Sequence, residues 1–221
     1  MSEIHPYAHY QTPVTNVTGG YVPKNTKVLI MGTFPPQAEY ETKGGGFFYY
    51  SSERNHLWNR FDNIFENDHE FVPLKKTANR NHHETFIENM QRKMRFCNDK
   101  EIGFMDIFAK IDRNIPGGTA DADLIPLIDV LQNKNLIYAI QTQSIKRICC
   151  VYKLAYIHLK ANLINHGFQI TTFPNTHSAD NLMNVVEGHG KKFELVLLYA
   201  ATRSPEPGHL KDFQYNHFIF N

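Results

Sequence analysis

The residues best suited to chemistry lie in one stretch of the sequence, from Lys27 to Arg60. Asn55 supplies a side-chain amide, which can hold a water molecule or bond a carbonyl group of a ligand. The competing interpretation makes Asn55 a turn or N-cap residue in front of a helix, a position that asparagine favours. Aromatic rings precede it, and each could stack on a flat ligand or pack in the core: Phe34, Phe48, Tyr49 and Tyr50. We expect at least two of them in the core and favour Phe34 and Tyr49 as the ligand-contacting pair.

The backbone before these rings indicates where a ligand would lie. Val28-Leu29-Ile30-Met31 is a continuous apolar run, typical of a strand that is buried on both faces of a sheet. Gly32 ends the run, and with Thr33 it would either offer backbone amides at the strand end or form a tight turn. A buried strand that feeds a constrained loop is typical of the binding crevice of an open α/β sheet.

Other polar residues give weaker signals. Asp106 follows an apolar segment and is either a site carboxylate or a helix-capping residue, and we favour the structural role. A metal site could be suspected at His82, His83 and Glu84. Adjacent histidines cannot share one face of a helix, however, and no HExxH pattern occurs. The sequence therefore predicts no metal and no other cofactor.

Composition excludes several classes of protein. The chain has 221 residues, 42% apolar and 20% charged, which fits one folded domain better than a disordered chain. No apolar run approaches the roughly 20 residues that span a bilayer, and the N-terminus has no hydrophobic signal core, so we expect a cytoplasmic protein without a membrane partner. The 3 cysteines lack CxxC spacing and do not suggest a disulfide framework. With a formal net charge of +1, a nucleic-acid partner would have to be met by a local basic patch.

Strands and helices alternate along the chain. The predicted strands cover residues 27–31, 145–151, 168–173 and 193–199. The predicted helices run from Leu57 to about Asn67, over residues 84–96, from Asp121 or Asp123 to about Gln132, and over residues 152–165. The tail from His209 to Phe220 fits either a helix or a strand. This alternation is typical of an α/β sheet with helices on both faces. We divide the chain into an irregular N-terminal lead-in, residues 1–26, and a single domain, residues 27–221.

Three ordered segments resemble the uracil-DNA glycosylase superfamily, in particular its bacterial branch of hypoxanthine/uracil-DNA glycosylases. Gly32-Thr33-Phe34-Pro35-Pro36 is similar to the GTFP or GSFP motif of that branch. Phe48-Tyr49-Tyr50 and Arg54-Asn55-His56-Leu57-Trp58 are together similar to its FYY…RNxFW element. Ile102-Gly103-Phe104-Met105-Asp106-Ile107 is similar to its IG(L/I)xD(V/I) segment. The resemblance implies a single-domain, three-layer α/β/α sandwich with a short, mostly parallel central sheet.

The resemblance also implies roles for individual residues. It gives Asn55 the catalytic part, while Phe34 occupies the position where several members of the superfamily carry an Asp or Asn that orients a water molecule. It implies a base-binding set in the first two motifs: Gly32, Thr33, Phe34, Pro35, Tyr49 and Tyr50. The superfamily closes its site with a second, DNA-clamping loop. Here we favour Arg203-Ser204-Pro205 for that loop, with His177-Ser178 as the alternative.

The function implied by the resemblance is hydrolysis of the N-glycosidic bond of a flipped-out uracil or hypoxanthine in DNA. The protein would act in base excision repair as a monomeric DNA-binding hydrolase. A second hypothesis is a catalytically inactive member that binds nucleic acid or a nucleobase-like ligand, which Phe34 and the poorly matched second loop favour. A third is a small-molecule enzyme built on a similar sheet.

Overall fold

The computed structural model describes residues 3–5, 20–35, 48–50, 56–66, 71, 82–115, 124–126, 134–173, 183–201 and 207–221. The strands are β1 (Glu3–Ile4), β2 (Gly20–Tyr21), β3 (Val28–Gly32), β4 (Ile102–Asp106), β5 (Lys110–Arg113), β6 (Leu124–Pro126), β7 (Arg147–Cys150), β8 (Gln169–Phe173), β9 (Met183–Gly188) and β10 (Lys191–Leu197). The α-helices are α1 (Leu57–Phe65), α2 (His82–Asp99), α3 (Lys134–Thr142), α4 (Lys153–Asn165) and α5 (Gly208–Tyr215), and a π-helical turn covers Asn216–Phe220.

A mixed sheet of seven strands forms the centre of the described structure, in the order β2-β4-β3-β7-β10-β9-β8. The four adjacent strands β4, β3, β7 and β10 are parallel to one another. β2 is antiparallel to β4, β9 is antiparallel to β10, and β8 is antiparallel to β9. Five strands therefore point the same way and two point the opposite way. The predicted mostly parallel sheet is confirmed.

Apolar side chains on both faces of the sheet explain why its central strands read as continuous apolar runs. Successive side chains of a strand point to opposite faces. In β3, Leu29 and Met31 belong to one core while Ile30 belongs to the other. In β7 the same alternation places Ile148 in the first core and Cys149 in the second. The strands must be apolar at every position because neither face meets water.

Helices cover both of these faces, which confirms the three-layer α/β/α arrangement. Helices α3 and α4 pack on the first face through side chains such as Leu136 and Leu159. Helices α1, α2 and α5 pack on the second face through side chains such as Phe61, Cys97 and Tyr215. In α1 the buried Leu57, Trp58 and Phe61 share one side of the helix, as three- and four-residue spacing requires.

One predicted helix is wrong. The helix expected from Asp121 or Asp123 to about Gln132 is interrupted by β6, whose residues pair antiparallel with β5. Both aspartates lie outside the described residues. Pro126 ends β6 at the edge of a small sheet ordered β1-β5-β6, where a residue without an N–H is tolerated. The helix of this region is α3, which begins later, at Lys134.

One further strand was not predicted, and the structure decides the tail, for which both a helix and a strand were open. β9 was not predicted, because its polar Asn184 and Glu187 hide the alternation of buried residues. The C-terminal tail is the helix α5 followed by the π-helical turn. Short strands also occur inside the predicted lead-in, since β2 pairs with β4 and β1 pairs with β5. The division into residues 1–26 and 27–221 stays a prediction.

Candidate functional site

The carboxyl ends of β3 and β7 form a topological switch point. These strands are parallel neighbours, so their ends lie side by side. After β3 the chain passes to helices α1 and α2 on one face, and after β7 it passes to α4 on the other face. Connections that leave adjacent strands toward opposite faces open a crevice, which is where α/β sheets bind ligands. The predicted position of the site, after the strand that ends at Gly32, coincides with this crevice.

The backbone that follows β3 is held against the segment that follows β4. The amide of Phe108 donates to the carbonyl of Thr33 at 3.2 Å, and the Arg113 guanidinium donates to the carbonyl of Pro35 at 3.0 Å. The same guanidinium lies 5.8 Å from the centre of the Phe34 ring. Thr33, Phe34 and Pro35 are all buried. These contacts hold Thr33, Phe34 and Pro35 in place at the carboxyl end of β3.

Gly32 brings the three sequence motifs together. It lies opposite Asp106 in the register of β3 and β4. A Cβ atom added at Gly32 would overlap Asp106 Oδ1 and the hydroxyl oxygen of Tyr50. A carboxylate and a phenol therefore approach the backbone at a point that only glycine leaves open. One residue from each of the three segments that carry the family resemblance stands at this point.

The Tyr50 hydroxyl is the unusual group of this cluster. The ring is half-buried, while the hydroxyl oxygen is fully buried and has no hydrogen-bond partner within the described part of the chain. Burial, reinforced by the negative charge of Asp106, raises the pKa of Tyr50 well above its usual range. Tyr50 thus stays a neutral phenol at physiological pH and can donate a hydrogen bond. Its backbone φ of 54° is in the left-handed region, which is uncommon for a bulky residue and is often found at functional sites.

Phe34 and Tyr49, the favoured stacking pair, are covered in this structure. Tyr49 is 1% exposed, and its ring is stacked on Phe104 with centroids 5.6 Å apart. Phe34 is 6% exposed and meets the ring of His5 edge-on at 5.1 Å. A base could stack on either ring only after a neighbouring group moves aside. Their base-binding role stays a prediction, as does that of Gly32, Thr33, Pro35 and Tyr50.

A hydrogen bond fixes the end of the second motif to its beginning. The indole Nε1 of Trp58 donates to the carbonyl of Tyr49 at 2.7 Å, and both residues are buried. Trp58 belongs to the first turn of α1, so the start of this helix is tied to the aromatic wall. Tyr49 and the start of α1 are thus held together.

His5, which no sequence motif marks, lies against Asp106. It is 1% exposed, and its Nε2 lies 2.7 Å from Asp106 Oδ2, where it donates to the carboxylate. Its backbone amide donates to the carbonyl of Ala109 at 3.0 Å. The two partners of the side-chain contact are 101 positions apart, so no local pattern marks His5.

Asp106 is not a helix-capping residue, because the element that follows it is the strand β5. It is 5% exposed at the end of β4, between His5 on one side and Gly32 on the other. The favoured helix-capping role is therefore wrong, and the role of a site carboxylate stays a prediction.

Several predicted site residues lie outside the described residues. They are the catalytic candidate Asn55, the clamping-loop candidates Arg203, Ser204 and Pro205, and the alternatives His177 and Ser178. The alternative that makes Asn55 the N-cap of the helix is not supported, since the N-cap of α1 is His56, whose carbonyl accepts from Arg60 N at 3.0 Å.

Neither a metal centre nor a membrane span is found in the described ranges. Those ranges contain no group of three His, Cys, Asp or Glu side chains that could hold a metal ion. Within them, every helix is too short or too polar to cross a bilayer.

Comparisons with known proteins give a weak likeness. No protein-family model and no curated protein matches the chain. Among solved structures, the chain is similar to the solution NMR structure of a Methanosarcina acetivorans protein that is provisionally described as a uracil DNA glycosylase. The two sequences are 15% identical, the match covers 91% of this chain and 98% of that chain, and the TM-score is 0.47. A likeness of this size decides neither family nor activity.

Proposed function

We propose that this protein is a DNA glycosylase that hydrolyses the N-glycosidic bond of a flipped-out deaminated base, uracil or hypoxanthine. One observation carries the proposal. Gly32, Tyr50 and Asp106 come from three separate segments that resemble glycosylase motifs, and they meet at one buried point. That point lies at the carboxyl end of β3, one of the two strands whose ends form the switch point, near which such a fold binds its ligand. Motif matches that arose by chance would not be expected to converge in this way.

The chemistry of the reaction fits the groups at this point. Cleavage builds positive charge on the sugar while the departing base becomes anionic, so the enzyme must hold the base, stabilise its oxygen and place a water molecule. In the proposal, Asn55 bonds the base carbonyl or holds the water. Residues 32–35 form one wall of the pocket, and Tyr49 and Tyr50 form the other. The neutral Tyr50 hydroxyl is a donor available to a ligand oxygen.

The strand order supports Arg203-Ser204-Pro205 as the DNA-clamping loop. These residues follow Ala201, shortly after β10, and only β7 separates β10 from β3. The alternative pair, His177 and Ser178, lies in the connection from β8 to β9, three and four strands from β3. With about 4.8 Å between neighbouring strands, the first loop starts roughly 10 Å from β3, and the second starts roughly 14–19 Å away. We further propose that the protein works as a monomer on cytoplasmic, nucleoid-associated DNA.

The proposal is tested with labelled oligonucleotides that contain uracil, hypoxanthine or a mismatched thymine, in duplex and single-stranded form. Alkali treatment after incubation converts abasic product into a strand break. We expect breaks with uracil or hypoxanthine, and Asn55→Ala should reduce the rate at least about 100-fold, as the loss of a transition-state contact does elsewhere. Asn165→Ala, an exposed position at the end of α4, is the matched control and should keep full activity.

Two results would contradict this function. Absence of abasic product from every substrate, under conditions in which a known glycosylase cuts, would refute the activity. Full activity of Asn55→Ala would instead refute the catalytic assignment of that residue.

A second candidate function is a non-catalytic member that binds nucleic acid or a nucleobase-like ligand. Phe34 favours this second function. It is a buried phenylalanine at the position where several glycosylases carry a polar residue that orients the attacking water. Tight binding to a duplex with an abasic site or uracil, without turnover, would distinguish this candidate from the enzyme.

A further inference from the structure

The N-terminal segment reaches the crevice from outside the central sheet. β1 pairs antiparallel with β5, with Ile4 opposite Lys110. The backbone amide of the next residue, His5, donates to the Ala109 carbonyl and extends this pairing. The segment therefore ends its short strand directly beside Asp106.

His5 fixes one oxygen of the Asp106 carboxylate. The 2.7 Å contact between Nε2 and Oδ2 is buried, with His5 and Asp106 only 1% and 5% exposed. Hydrogen bonds to a charged group strengthen where water is excluded. The His5 ring is itself held in place, edge-on to Phe34 at 5.1 Å and stacked near Tyr49 at 6.0 Å. The carboxylate consequently has one orientation.

The other oxygen of Asp106 points to the place where the motifs meet. Asp106 Oδ1 and the Tyr50 hydroxyl both lie close to the Cα of Gly32, on the side where a side chain would project. The buried Tyr50 hydroxyl makes no hydrogen bond to any part of the chain that the structure describes. A carboxylate acceptor and a phenol donor without a hydrogen-bond partner in the described residues therefore face the same point beside Gly32.

We propose that His5 is a positioning residue, and that the Asp106 carboxylate it orients is the acceptor for the attacking water. This inference rests on the proposed function. The carboxylate that the first motif lacks at Phe34 is then supplied from the end of the neighbouring strand. The water oxygen forms the new bond to C1′, the bond from C1′ to the base nitrogen breaks, and its electron pair leaves with the base. Asp106 takes the proton of the water.

The experiment measures kcat and KM of the full chain on the best oligonucleotide of the panel. His5→Phe keeps a ring but removes the donor, and we expect kcat to fall about 10- to 100-fold, the loss of one hydrogen bond to a charged group, with KM within about twofold. His5→Gln offers an amide N–H at a similar distance and should restore kcat to within about threefold of the wild type. Asp106→Asn should lose at least about 100-fold in kcat.

His158→Phe is the matched control. Its ring meets Phe108 edge-on at 5.0 Å, much as the His5 ring meets Phe34, but it lies on α4. We expect wild-type kcat and KM for this variant. A large loss there would show that the loss in His5→Phe reflects general repacking, which would overturn the inference.

The other possible results for the His5 and Asp106 variants also decide whether the inference holds. Wild-type kcat in His5→Phe, or equal losses in His5→Phe and His5→Gln, would overturn the positioning role. If His5→Phe fails to fold, Asp106→Asn decides, since full activity in that variant overturns the inference. A wild-type protein that releases no base refutes the proposed function itself, whereas an active wild type with unaffected variants refutes only the roles of His5 and Asp106.

Discussion

Lys93 is a lysine inside the aromatic core that covers the second face of the sheet. It lies on α2 with 0% exposure, and its ammonium nitrogen is 5.1 Å from the centre of the Trp58 ring. Burial lowers the pKa of Lys93 from 10.5 to about 7, while the negative charge of Asp62 opposes the change. Asp62 is buried as well and accepts the amide of Phe71 with both carboxylate oxygens at 3.1 Å.

The lowered pKa makes stability depend on pH. Between pH 7 and pH 10.5 the unfolded chain binds more protons at Lys93 than the folded chain does, so the free energy of unfolding rises with pH in this window. Each unit of pKa difference corresponds to about 1.4 kcal/mol. From pH 6 to pH 9 the contribution of Lys93 should therefore grow by about 3 kcal/mol, nearly all of it above pH 7.

Lys93→Met removes this titration and keeps the volume of the side chain nearly constant. Urea unfolding of both proteins at pH 6, 7, 8 and 9 gives the difference in free energy of unfolding at each pH. The attraction between Lys93 and Asp62 is already included in the pKa of about 7, so it belongs to the pH-dependent part of the difference; the loss of packing contacts shifts the difference by a constant. We expect the advantage of the variant over the wild type to shrink by about 3 kcal/mol from pH 6 to pH 9. A difference that stays constant within about 0.5 kcal/mol over this range would refute the reasoning.

Two further predictions concern the site and the cysteines. Gly32→Ala should lower the free energy of unfolding by about 1–3 kcal/mol, because the added methyl group overlaps Asp106 and Tyr50. The same substitution should abolish base release. A variant with the melting temperature and activity of the wild type would contradict the described geometry. Burial raises the pKa of all three thiols, Cys97, Cys149 and Cys150, so none should react with a thiol reagent at pH 8 in the native protein, and all should react in urea. Fast labelling of even one native thiol would show that the core around it is open.

The elements that the sequence predicted are those with a strong local signal. The predicted strand from Lys27 to Met31 covers all of β3 except Gly32, and the one from Ile145 to Val151 contains β7. Both were predicted because a strand covered on both faces needs apolar residues throughout. The helix expected over residues 152–165 is α4. The position of the crevice also follows from local signals, namely an apolar run that ends at Gly32.

Long-range pairing decided the elements that were mispredicted or missed. Asp121, Asp123 and Pro126 are good residues for a helix start, but Leu124–Pro126 gains its hydrogen bonds from β5 instead. The strand β9 has polar residues that give no clear alternation, yet it fills the gap between β8 and β10 and pairs with both. Propensity is a weak preference, and partners distant in sequence outweigh it.

By itself, the sequence determined the α/β class, the central strands and the candidate residues from Gly32 to Asn55, because periodicity, glycine and aromatic clustering are local properties. Only the tertiary structure decided which side chains face each other. It covered the Phe34 and Tyr49 rings, left the Tyr50 hydroxyl unused within the described residues, and set His5 against Asp106, 101 positions away. Such contacts depend on strand order and register, which are settled when the whole sheet assembles and which no short stretch of sequence encodes.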